Sequence, residues 1–120
     1  MDTVVVESVA VVLHPGSFQH FSIFVIELME GNKAMYKPCS AFEGEILEST
    51  IIFLCNGGEG HRGEFVYIRD EREDDDHFSL CEVQVFCFLG MKIMLYIQKV
   101  NQKMQMQKTV ECLRSQWEVL

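Results

Sequence analysis

The sequence predicts an all-β domain, a sandwich or jelly roll of short strands followed by a C-terminal helix. Three observations carry this: strand-length runs rich in aromatic and β-branched residues, a glycine-rich connection between two of them, and a final stretch with neither Gly nor Pro whose apolar residues recur at helical spacing.

Residues 18–28 read FQHFSIFVIEL, with Phe21, Ile23 and Val25 on one face and Phe24, Ile26 and Leu28 on the other. Apolar residues on both faces predict a strand buried on both sides. Glu30, Gly31 and Asn32 supply a turn. Residues 50–55 form the next strand, and 56–63, NGGEGHRG, a tight connection whose glycines accept positive φ. The strand EFVYI follows at 64–68, and a charged run occupies 69–77. In FSLCEVQVF (78–86), Cys81, Val83 and Val85 alternate with Glu82 and Gln84, which predicts one buried and one wet face. Over 91–120, Ile93, Ile97, Val100 and Met104, then Met106, Val110, Leu113, Trp117 and Leu120, recur at three-to-four spacing. This predicts an amphipathic helix whose phase slips between Met104 and Met106. The chain thus divides into a β domain at 18–90 and a basic, Met-rich tail at 91–120.

A length of 120 residues suits one domain, and 48% hydrophobic residues, nine Phe among them, suffice for a core. The net charge of -8 is uneven: residues 1–90 carry 16 acidic and 5 basic side chains, residues 91–120 carry 2 and 5. An acidic surface repels phosphate backbones and anionic lipid, which argues against nucleic acid as the partner. The apolar stretch Val4–Leu13 is interrupted by Glu7, has no preceding Lys or Arg and lacks a small-residue cleavage site, so it does not read as a signal peptide. The apolar run at 83–97 contains Gln84 and Lys92 and falls short of the roughly 20 residues a membrane span needs.

Catalytic patterns are missing from the sequence. NGGEG matches neither the GxSxG nucleophile elbow nor a phosphate loop with its Lys-Ser/Thr ending, and no triad can be named. Asp74, Asp75, Asp76 and His77 read as a solvated loop, since consecutive loop residues point in different directions. His61 beside Arg62 reads as an exposed loop histidine. The five cysteines (Cys39, Cys55, Cys81, Cys87, Cys112) show no CxxC spacing, so disulfides fit better than a zinc site, and the odd count leaves one thiol over.

Cys39, then FLCNGG at 53–58, RGEFVYI at 62–68 and LCEVQVF at 80–86 together resemble the second half of an F-type lectin (fucolectin) domain, over about residues 21–86. The resemblance implies a partial discoidin-like β jelly roll, extracellular, binding fucose-type glycans without catalysis and commonly in multivalent arrays. It implies a Cys39 to Cys55 disulfide that pins two adjacent strands. The alternative for this pair is two buried free thiols. It also implies a structural calcium ion, with the Cys81 carbonyl and Glu82 carboxylate as ligands. The upstream loop that would complete six to eight oxygens has no counterpart here.

The sequence departs from the family in four ways. The His and two basic residues that bind fucose are not found, since neither His14 nor His20 is followed by the expected pattern. The adjacent cysteine pair is lacking, Glu64 stands where the family has Arg, and the tail has no counterpart. Glycans or glycoproteins are the expected partners. A sheet edge left open by a missing half would favour a homo-oligomer. The competing reading is a truncated structural or interaction fragment of the lectin fold without sugar-binding activity.

Overall fold

The computed structural model describes residues 3–72, 80–87, 92–99 and 104–114. Among the described residues nine strands follow in chain order: β1 (Val4–Leu13), β2 (Phe18–Met29), β3 (Lys33–Glu45), β4 (Thr50–Leu54), β5 (His61–Gly63), β6 (Phe65–Asp70), β7 (Leu80–Cys87), β8 (Lys92–Lys99) and β9 (Met104–Arg114). Among the described residues there is no α-helix, only a single 3₁₀ turn at Asn56–Gly58. The predicted all-β class holds.

The strands run in space as β3-β2-β6-β8-β9-β7-β1-β4, with β5 paired to β1. Two sheets result, and β9 belongs to both: Met104 to Glu111 pair with β8, whereas Cys112 to Arg114 pair with β7. The inner faces enclose one core. Phe21, Ile23, Val25, Val66, Ile68, Leu95 and Ile97 from one sheet meet Val6, Val9, Val11, Val83 and Val85 from the other.

β1 is dominated by valine, which suits a pleated strand buried between neighbours. Val9 and Val11 are fully buried in the core, while the small outward residues Ser8 and Ala10 are nearly as buried between β4 and β7. The β2–β3 reversal uses Gly31 and Asn32 at φ 78° and 60°. The NGGEG connection has Asn56, Gly57, Gly58 and Gly60 all at positive φ, with the Gly58 and Gly60 amides donating to the Cys55 carbonyl at 3.0 and 2.9 Å. At Gly63 the chain leaves the sheet of β1 for that of β2. A Cβ there would lie 2.5 Å from Val25 Cγ1 and 2.7 Å from the Ile26 carbonyl oxygen, so the crossing needs glycine.

The predicted C-terminal helix is corrected to two strands. Ile93 and Ile97 satisfy a helical i, i+4 spacing, but Leu95 between them is fully buried as well, while Met94, Tyr96 and Gln98 are half-buried. That is a period of two, and it places β8 between β6 and β9. The slip between Met104 and Met106 coincides with a register shift opposite Ile97 and Gln98. The strands at 92–114 and β1 therefore pair directly with strands inside 18–90.

Cys39 and Cys55 form a disulfide, with Cα atoms 4.1 Å apart. The strands it pins, β3 and β4, are not hydrogen-bonded neighbours. They are the two ends of the strand path, so the bond clasps one sheet to the other. With a sequence separation of 16, chain-entropy reasoning assigns the bond about 3 kcal/mol. A Cys39→Ser/Cys55→Ser double variant is expected to lower unfolding free energy by about that amount in a denaturant titration. An unchanged midpoint would refute the assignment.

Candidate functional site

The outer face of β3-β2-β6-β8 carries most of the exposed and half-exposed rings. Odd residues of β2 point into the core, so Phe24 and Ile26 point out, and pairing aligns the neighbouring strands: Phe24 opposite Tyr67, Ile26 opposite both Phe65 and Tyr36, and Tyr67 beside Tyr96. Four strands thus contribute one aromatic surface.

Its rings form two groups. Phe24 stacks on Tyr67 with centroids 6.0 Å apart, and Tyr36 meets both edge-on at 6.1 Å. Phe65 meets Tyr96 edge-on at 5.3 Å. Between the groups lies a groove of about 240 Å³, floored by Ile26 and flanked by Tyr36, Tyr67, Phe65 and Tyr96, with Leu28, Ala34 and Gln98 completing the lining. Tyr36 remains 54% exposed although its ring is tied to two others, so it presents a fixed apolar wall to solvent.

The polar groups around the groove are held in place. The Tyr67 hydroxyl donates to Gln98 Oε1 at 3.1 Å. Burial pushes the Tyr67 phenol above its usual range, so it stays a neutral donor across physiological pH. Arg69 lies over the Phe24 ring, 5.2 Å from its centroid, and pairs with Glu71. The hydrogen bond to Glu71 raises the Arg69 pKa further above an ordinary arginine's.

The residues singled out in the sequence do not converge. Cys81 and Glu82 are both exposed on β7. A bulge between Val12 and Leu13 of β1, opposite Glu82 and Leu80, takes Cys81 out of the alternation and overturns its expected burial. Its thiol is free, 3.5 Å from His14 Nε2. Among the described residues no group of three or more His, Cys, Asp or Glu side chains is placed to hold a metal ion. Cys87 is disulfide-bonded. His20 pairs with Glu43 at 3.3 Å, and His61 Nε2 lies 3.0 Å from the Pro38 carbonyl oxygen.

Glu64, the departure from the family's Arg, accepts hydrogen bonds from the Leu28 amide at 2.8 Å and the Thr3 hydroxyl at 3.1 Å, so this carboxylate ties the end of β2 to the N-terminal segment. Asp74 to His77 and Trp117 lie outside the described residues. The groove residues were missed because Phe24, Ile26 and Leu28 read as a second buried face. The available signal was that FQHFSIFVIEL and EFVYI each carry outward aromatics.

No protein-family model, no curated protein and no solved structure matches this chain.

Proposed function

We propose that this chain is a non-catalytic, lectin-like domain that binds fucose-type glycans through the aromatic groove on the outer sheet face. The observation carrying the reading is the groove itself, with fixed rings on both sides of an apolar floor and hydroxyl and amide groups at the rim. A pyranose offers C–H bonds on its ring face and hydroxyls at its edge. The electron-rich faces of Tyr36 and Tyr67 complement the first, and tyrosine hydroxyls and Gln98 complement the second. The FLCNGG, RGEFVYI and LCEVQVF segments, with their resemblance to F-type lectins, point to the same ligand class. A Cys39–Cys55 disulfide is compatible with an extracellular setting, which is where such glycans are displayed.

The test is binding of the oxidised chain to an array of fucosylated and galactosylated glycans, with and without calcium. Saturable binding competed by free fucose supports the reading, and an absence of binding by a folded sample overturns it. A groove-based site predicts the same binding after chelation.

One observation favours the second reading, an interaction module that keeps the β scaffold without a sugar site. Leu47, Ile52 and Leu54, on and beside β4, are 82%, 61% and 52% exposed.

A further inference from the structure

We infer that Cys81 and His14 form one half of a tetrahedral zinc site, completed by the same two side chains of a second copy of the chain. The site shares no residue with the aromatic groove and stands independently of the carbohydrate reading. Cys81 Sγ lies 3.5 Å from His14 Nε2, and both residues are exposed. With Zn–S at about 2.3 Å and Zn–N at about 2.0–2.1 Å, a sulfur and a nitrogen ligand of one tetrahedral ion stand about 3.5–3.6 Å apart. The pair already has the separation that the metal requires.

The fold holds that pair in place. Leu13 lies opposite Leu80 and Val12 opposite Glu82, so Cys81 is the extra residue of the bulge, beside the end of β1. His14 follows Leu13 directly, and Pro15 restricts the His14 backbone to extended conformations. The His14 carbonyl accepts from the Ser17 hydroxyl at 2.6 Å and the Ser17 amide at 3.3 Å, while the Gly16 amide donates to the Ile46 carbonyl at 2.8 Å.

Two protein ligands do not hold zinc firmly, since structural sites use four. Among the described residues no third His, Cys, Asp or Glu joins the pair. A second copy related by a two-fold axis supplies the identical pair. Both thiols then give their protons to solvent, the two thiolates balance the charge of the ion, and two neutral imidazoles complete the tetrahedron. Each chain carries a net charge of -8, which attracts the cation and opposes pairing of metal-free copies.

The experiment titrates zinc chloride into the intact chain, with its Cys39–Cys55 bond kept and oxygen excluded, beside Cys81→Ser and His14→Ala variants. Sedimentation velocity and calorimetry are the readouts. The expected result is a chelator-reversible shift from monomer to dimer at one zinc per two chains, with zinc affinity lower by about tenfold or more in either variant. Cobalt in place of zinc should give the visible bands of a tetrahedral, thiolate-bound ion, a readout on the wild-type chain that stands even if a variant folds poorly. Absence of zinc binding, one zinc per chain without dimerisation, a dimer indifferent to chelator, or full zinc affinity in both variants overturns the inference.

Discussion

Tyr36→Ala is expected to reduce glycan affinity by about tenfold or more, which corresponds to about 1.4 kcal/mol, while costing only about 1 kcal/mol of folding stability. The two effects separate because of where the ring sits. Tyr36 lies on β3, at one end of the strand path, and is more than half exposed, so little core packing depends on it. Removing it sacrifices its edge contacts to Phe24 and Tyr67, each worth about 0.5–1.5 kcal/mol before relaxation. It also removes one whole wall of the groove. Parallel glycan titration and thermal melting would check this. A variant that melts normally and still binds at wild-type affinity would move the site elsewhere.

Asp70→Ala is expected to be among the most damaging substitutions to the fold, costing about 3–5 kcal/mol, with a fall in melting temperature of more than about 10 °C. Asp70 closes β6 with its carboxylate fully buried. It accepts from the Arg72 amide at 3.0 Å and from the guanidinium at 3.3 and 3.4 Å, and Arg72 in turn reaches the Phe18 carbonyl at 3.5 Å. Truncating the acid removes a fully buried carboxylate on which the Arg72 amide and guanidinium both converge, which costs more than the pair contributed. Denaturant melts of Asp70→Ala and of the Asp70→Ala/Arg72→Ala double variant are the check, and the double variant should recover part of the loss. A near-neutral single variant would show that the site relaxes by admitting water.

The all-β class was legible because β2 and β6 are short runs rich in aromatic and β-branched residues, because β7 alternates, and because four glycines mark a connection that does use left-handed backbone at Gly57, Gly58 and Gly60. β3 was not legible. Its exposure lacks clean alternation, and Pro38, which cannot donate to a ladder, sits beside a bulge of this end strand where β2 spares that hydrogen bond. β1 was read only as an apolar stretch, since burial on both faces erases the period-two signal. The tail failed for a related reason: apolar residues four apart fit a helix turn and two strand steps equally, and only the partners on either side of β8 decide between them. The groove was beyond local reading because its rings come from four strands whose order in space differs from their order in the chain.

The clasp between β3 and β4 also sets how far the chain can be drawn out when a ligand on a surface tugs on it. The segment between Cys39 and Cys55 is bridged across 4.1 Å. At about 3.4 Å per extended residue, roughly 50 Å of contour length is withheld from any extension while the bond is intact. A domain pulled through its ends would therefore keep the segment inside this bridge from extending until the bond is reduced.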